Sequence, residues 1–416
     1  MASSRRAFLK SLFGSATLVS LGPDVPGLWQ RVARAAGATD HRRDTVVVAL
    51  QLSGGNDGLN TLVPYADEHY GRSRRTLRLR DKEVHKIGSD LGFHPQMPEF
   101  ARLVKEGRLT VVQGVGYPNS NRDHDGAMRD WHTARPGDTQ CQTGWLGRAA
   151  DRFQAVGDPR VRGAFVGDIA QPFALHTRGA VVPSLVALEP WQLEQPEWQP
   201  RREEAERRHQ ETAAPPNPLW EHARRAVAIA HADMRRVEAV LAAGPSVTDY
   251  PPFALAAHLK TVAQLVRADI GIRVFLTELG GGGIGGFDNH AAQRDNHAAL
   301  LRQLSQSVAA FVDDLAADGT LDRVVLMTFS EFGRTLAENG RRGTDHGDAA
   351  PMFLAGSRLC GGLVGPHPDL GDLDRGAPRF HTDFRRVYAT LLDSWLGLDS
   401  TAILSHRYEA LDLLRT

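Results

Sequence analysis

Short β-branched runs that end in glycine, acid or histidine recur along this chain, and they constrain its fold more than any other feature. Thr45 to Leu52 (TVVVALQL) runs straight into Gly54-Gly55-Asn56-Asp57-Gly58. Leu109 to Val115 leads into Pro118-Asn119-Ser120-Asn121-Arg122-Asp123-His124, and Ile272 to Glu278 leads through glycines to Asp288. Arg323 to Phe329 leads into Ser330-Glu331, and Met352 to Ala355 reads as a fifth strand. Near-continuous apolar runs of this length suit strands buried on both faces. Helical stripes lie between them. Leu300, Leu301, Leu304, Val308, Phe311, Val312 and Leu315 recur at helical spacing, as do Phe253, Leu255, Leu259, Val262, Val266 and Ile270. A shorter helix spans Pro98 to Gly107. Strands alternating with helices predict an α/β fold with a largely parallel sheet covered on both faces. Such sheets bind ligands outside the carboxyl ends of their strands, where every cluster named above falls.

A chain of 416 residues is long for one domain but suits a large α/β fold with an insertion. Pro183 to Pro252 differs in character. It is rich in Pro, Glu and Arg, contains a helical stretch from Pro218 to Ala243, and predicts a helical insertion at about 184–252. Its charges read as a solvated face. Lys and Arg total 49, as do Asp and Glu, so nothing favours a nucleic-acid or anionic-membrane partner. Two cysteines, Cys141 and Cys360, exclude a disulfide framework and leave either one bridge or two free thiols. Gly280 to Gly286, interrupted only by Ile284, lacks the pattern of a phosphate-cradling loop.

The N-terminus reads as an export leader over residues 1–36. Ser4-Arg5-Arg6-Ala7-Phe8-Leu9-Lys10 matches a twin-arginine signal, a weakly apolar stretch follows from Ser11 to Gly22, and small residues around Ala33 to Ala36 suit a signal peptidase. The expectation is a protein handled by the twin-arginine export machinery and placed in the periplasm or outside the cell. The apolar stretch is too short and interrupted to span a membrane, and no other reaches about 18 residues.

The chemistry sits in the strand-end clusters. Asp345-His346 between Gly343 and Gly347 pairs a hard anionic ligand with an imidazole, and glycine admits close backbone approach. It reads as metal ligation or as a turn. Asp288 and His290 carry ligand spacing, with His297 on the next helix, the alternative being that Asp288 caps that helix. Asp57 in its glycine-rich turn is a ligand or plain turn chemistry. Ser120 is a possible nucleophile and His124 a further site residue. Glu331 can hold a histidine or a water, and Arg334 can meet an anionic substrate, unless the two form a structural pair.

These residues also carry a resemblance. Val48 to Pro64 (VALQLSGGNDGLNTLVP), Asn121-Arg122-Asp123-His124, Gly286 to His290, Phe329 to Thr335 and Gly343 to Gly347 resemble the DUF1501 family over about Thr45 to Leu396. That family resembles the alkaline phosphatase superfamily, with sulfatases and cofactor-independent phosphoglycerate mutases as relatives. The resemblance implies an α/β/α sandwich and two divalent ions, with zinc, manganese, iron, calcium and magnesium not distinguished. One ion would lie on Asp57, Ser120, Asp345 and His346. The other would lie on Asp288, His290 and a further histidine among His124, His297, His367 and His381. The implied activity is hydrolysis of phosphate or sulfate esters, small or polymer-linked. The chain departs from the family pattern where Ser-His-Phe reads Asp123-His124-Asp125 and where Asp-Thr-His reads Asp288-Asn289-His290. Either Ser120 then serves as nucleophile, or Asp123 becomes an extra ligand, or hydrolysis is lost and a non-catalytic exported scaffold remains.

Overall fold

The computed structural model describes residues 44–153, 161–180, 182–185, 248–281 and 286–415. The leader at 1–36 and nearly all of the insertion at about 184–252 lie outside the described residues. The main sheet comprises β1 (Val46–Leu52), β2 (Leu109–Gly116), β3 (Gly163–Val166), β4 (Ser184–Leu185), β5 (Val274–Leu279), β6 (Val324–Phe329), β7 (Ala350–Ala355), β8 (Gly362–Val364) and β9 (Thr382–Asp383). Its spatial order is β8-β2-β7-β6-β1-β5-β3-β4, and β9 also pairs with β2. β1 lies parallel to both β5 and β6, β3 is parallel to β5, and β2 is parallel to β8 and β9. Only β7 runs antiparallel, between β2 and β6. The sheet is therefore mixed but mostly parallel.

Every residue of β1 is buried because the pleat sends alternate side chains to two covered faces. Val46, Val48, Leu50 and Leu52 pack beneath α1 (Pro98–Lys105), α4 (Ala254–Arg267) and α5 (Gln293–Ala317). Val47 and Ala49 face α2 (His124–Thr133), α3 (Trp145–Phe153) and α6 (Phe384–Thr390). Two apolar cores on opposite faces of one sheet make an α/β/α sandwich. The Leu300–Leu315 stripe is buried along α5, as its spacing predicts. Proline at the start of α1 and the Asp123 cap of α2 set where those helices begin. No helix among the described residues is long and apolar enough to cross a membrane. Cys141 is buried, Cys360 exposed, and both are free thiols.

Several histidines are folded into this frame uncharged. Burial pushes His94 and His132 down to about 3, and His297 and His367 down to about 4. Each folded-state value lies below the ordinary one, so acid protonates the unfolded chain first. Stability is expected to fall as pH drops below about 6.5, by about 1.4 kcal/mol per pH unit for each such histidine until its folded value is reached. Urea midpoints at about pH 7, 6 and 5 test this, and a midpoint that stays constant contradicts it.

Candidate metal centre

The strand ends bring together residues far apart in sequence. Beyond β1, Gly54 turns at φ +115°, where a Cβ would lie 2.4 Å from the Asp288 backbone nitrogen, so only glycine lets the Asp288 loop cross it. Phe287 N donates to Ser53 O at 2.9 Å and fixes that crossing. Glu331, just past β6, accepts from Gly54 N at 2.8 Å. The segments around Arg334 and His346 then run antiparallel. Gly347 N donates to Gly333 O at 2.8 Å and Thr335 N to Asp345 O at 3.0 Å, which sets His346 opposite Arg334. His124, at the start of α2, closes the group from the β2 side.

His124, Asp288 and His346 offer ligand atoms that all lie within 4.8 Å of one another, the only such group among the described residues. His124 Nε2 is 3.4 Å from Asp288 Oδ2, and His346 Nε2 is 3.2 Å from Asp288 Oδ1. His290 joins from the other side, its Nε2 3.0 Å from Asp288 Oδ1 and 2.9 Å from His346 Nε2. The far nitrogen of each ring is already committed. His346 Nδ1 lies 2.6 Å from Arg122 O, His124 Nδ1 2.9 Å from Glu331 Oε1, and His290 Nδ1 3.2 Å from Asp345 Oδ1. All three partners are acceptors, so each Nδ1 carries a hydrogen and each Nε2, when unprotonated, offers its lone pair inward. Two such lone pairs 2.9 Å apart repel unless a proton or a cation lies between them.

The electrostatics favour a cation. Burial would raise the Asp288 carboxyl, but Arg334 and the neighbouring histidines hold it down to about 2. The Glu331 carboxylate raises His124 against the opposing effect of burial, while burial lowers His346. Metal–nitrogen bonds of about 2.1 Å give donor–donor edges of roughly 3.0–3.4 Å, depending on geometry. The spacings about Asp288 of 3.0, 3.2 and 3.4 Å fall in that range. The donor set therefore fits a divalent ion with borderline-soft preference.

Several expected roles change. Asp57 is 2 % exposed, and its carboxylate is taken by Arg74, which bonds both oxygens, and by Gln293. Its charge is neutralised in an ion pair and it stands outside the ligand group. Arg334, 2 % exposed, donates to Gly55 O at 2.7 Å, Thr344 O at 3.0 Å, Phe287 O at 3.1 Å and Asp288 Oδ1 at 2.7 Å, and also to Gly54 O. Buried and held by five protein acceptors, it positions Asp288 and the loops rather than facing a substrate anion. Glu331 holds a histidine, one of the roles read for it, with its carboxylate bonded to His124 Nδ1 and Gly54 N. Ser120 donates to Asp348, which Arg122 also grips, so its hydroxyl is committed to a carboxylate outside the histidine group.

Asp345 reaches the group only through His290 Nδ1, and its carboxyl is lowered mainly by a hydrogen bond from Asn339. Asp123 caps α2, accepting from Gly126 N at 3.1 Å. His297, His367 and His381 find partners elsewhere, at Asn56 Oδ1 (3.0 Å), Gln113 Oε1 (3.3 Å) and Pro366 O (2.9 Å). Sequence reasoning missed Arg74, Asp348 and Asn339. Asp348 directly follows the Gly343–Gly347 motif and could have been found there, but nothing local marks Arg74 as the partner of Asp57.

Fold and site together define an α/β/α protein with a mostly parallel sheet and a His–Asp cluster at the strands' carboxyl ends. Within that class, the chain belongs to the DUF1501 family of proteins of unknown function, whose pattern it matches over residues 44–406. No curated protein matches it. Among solved structures it is similar to the zinc complex of the C-terminal periplasmic domain of EcEptC from Escherichia coli. That match has 12% identity over 77% of this chain and 75% of that one, with a TM-score of 0.37. A protein in the alkaline phosphatase superfamily from Vibrio parahaemolyticus matches at 10% identity over 92% and 77%, TM-score 0.40. The PsFucS1 sulfatase from Pseudoalteromonas sp. matches at 11% over 94% and 75%, TM-score 0.40. At these identities and scores, what the site does has to be read from this chain's own residues.

Proposed function

We propose that this protein is an exported, metal-dependent hydrolase of phosphate or sulfate esters. The observation that supports it most is the inward convergence of the His124, His290 and His346 Nε2 atoms on Asp288, each ring anchored at Nδ1. His124, Asp288 and His346 would hold a divalent ion with His290 beside them, and the ion would polarise an ester oxygen as a Lewis acid. One ion accounts for the ligand group among the described residues. The chain's own residues prepare the site. Arg334 keeps Asp288 ionised and oriented, Glu331 and Asp345 fix the rings of His124 and His290, and Arg122 O fixes His346. Asp348 accepts the Ser120 proton and so can hold it if that hydroxyl attacks.

A second reading has its own support. Arg122 and Arg334 are both held by protein acceptors rather than turned to an anion, and the Ser120 hydroxyl is tied to Asp348. A metal-binding protein without hydrolytic activity fits that arrangement. Natively produced protein loaded with zinc or manganese, assayed on p-nitrophenyl phosphate, bis-p-nitrophenyl phosphate and p-nitrophenyl sulfate, separates the two. Turnover that disappears with chelator supports the hydrolase. Stoichiometric metal without turnover of any ester supports the second reading. Cell fractionation tests the export reading of the leader.

Glu331→Gln is expected to weaken zinc binding about 10–100-fold by loosening His124, while the protein stays folded. Calorimetric titration of metal-free protein checks this, and an unchanged affinity removes Glu331 from the site.

A further inference from the structure

Beside the histidine group, segments remote in sequence bring together arginines that lack acidic partners. Asn339 is the link. Its Nδ2 donates to His290 O at 3.1 Å and to Asp345 Oδ1 at 3.0 Å, while its Oδ1 accepts from Arg341 N at 3.0 Å. Ala292 N and Gln293 N donate to the carbonyls of Arg341 and Arg342, both at 3.0 Å, which sets Arg294 next to that turn. Glu338, the neighbour of Asn339, accepts from Thr76 N and Leu77 N at 2.9 and 2.8 Å, so Arg75 adjoins it. All of these arginines are exposed. Among the described residues Arg75, Arg341 and Arg342 form no ion pair, and Arg294 has only Glu83 at 3.9 Å. The carboxylates here are otherwise engaged: Glu338 by backbone amides, Asp345 by Asn339 and His290, and Asp81 by Lys86 at 3.4 Å. Asp295 is the remaining acid. The chain as a whole carries no net charge, so this concentration is local.

Unpaired like charges repel one another, and an anion spanning them removes that cost while concentrating ligand at the adjacent site. We propose that Arg75, Arg294, Arg341 and Arg342 form a rim that seats the pendant sulfate groups of a sulfated oligosaccharide, presenting one ester to the His124–Asp288–His346 group. The presentation of an ester rests on the hydrolase reading. Guanidiniums carried on separate segments call for several anions spread over a surface. Pendant sulfates, each with one charge and three terminal oxygens, meet them in that form. The engagement of Arg122 and Arg334 by protein carboxylates points the same way, since a monoanionic ester asks less of the protein's cations than a dianionic one.

The test uses the metal-loaded full chain and a fluorescent heparin-derived hexasaccharide, titrated at rising sodium chloride. The comparison is an Arg341→Ser, Arg342→Asn double variant. Asparagine is chosen because Arg342 sits at φ +59°, which it tolerates. The variant is expected to bind about tenfold more weakly with a shallower salt dependence, at unchanged metal content and unchanged turnover of p-nitrophenyl sulfate if the wild type has it. Equal binding by wild type and variant overturns the rim, as does equal binding of the desulfated hexasaccharide. Tighter binding of a poly(glycerol phosphate) of matched charge overturns the sulfate assignment. Rim-dependent binding without turnover of any ester sinks the hydrolase reading and leaves the rim standing.

Discussion

Asp288→Asn will strip the protein of its divalent ion while leaving it folded. Asparagine keeps the shape and the oxygen that Arg334 grips at 2.7 Å, so the guanidinium is not abandoned in a buried setting. What disappears is the only negative charge at the point where His124, His290 and His346 converge. A neutral carbonyl is a poor replacement for a carboxylate that Arg334 and the histidines hold down to about 2 against burial. The loss of affinity should exceed the roughly 10–100-fold expected from losing an outer partner such as Glu331. Metal content by mass spectrometry, with His346→Ala alongside and circular dichroism as the folding control, gives the answer. Wild-type stoichiometry in a folded Asp288→Asn protein would falsify the site as drawn.

Arg74→Met is expected to be among the most destabilising single substitutions in the chain. Arg74 is 0 % exposed and bonds both Asp57 oxygens, Asn60 Oδ1 at 2.8 Å, Leu336 O at 3.0 Å and Thr335 O at 3.1 Å. Removing it leaves the Asp57 charge buried without its main partner, at a cost of about 3–5 kcal/mol. Burial pushes the Asp57 carboxyl upward, and its neighbours, Arg74 foremost, more than offset it. The double variant Asp57→Asn, Arg74→Met should recover part of the loss, because no lone charge remains. Urea unfolding measures both, and a shift below about 0.5 kcal/mol for Arg74→Met contradicts a buried pair. The same variants separate structure from site. Asp57→Asn should leave metal stoichiometry unchanged, whereas a ligand could not be replaced so quietly.

Asp57 shows where reading residues alone stops. Its place after a buried strand was legible, because TVVVALQL followed by glycines has few other outcomes than a strand and a sharp turn. Whether its carboxylate faces a metal or an arginine depends on what folds against it. Arg74, 17 residues on, follows the short helix Glu68–Ser73 in an arginine-rich segment where no local pattern singles one out. The grouping of His124, Asp288, His290 and His346 was more accessible, since each follows or flanks a strand end and parallel sheets gather such ends at one edge.

Roles were harder to read than positions. Arg334 looked like an anion receptor until its donors were found on Gly54, Gly55, Phe287, Asp288 and Thr344, carbonyls and a carboxylate supplied by loops remote in sequence. The antiparallel course of β7 between β2 and β6 was equally hidden, because an apolar run does not encode its direction. The sequence by itself determined the layers and the edge of the sheet at which the chemistry collects, since hydrophobic periodicity is a local property that every strand and helix carries with it. Only the tertiary structure decided which acid became a ligand and which a buried counter-ion. A side chain's charge is set by its nearest neighbours, and those neighbours are chosen by the packing of distant segments.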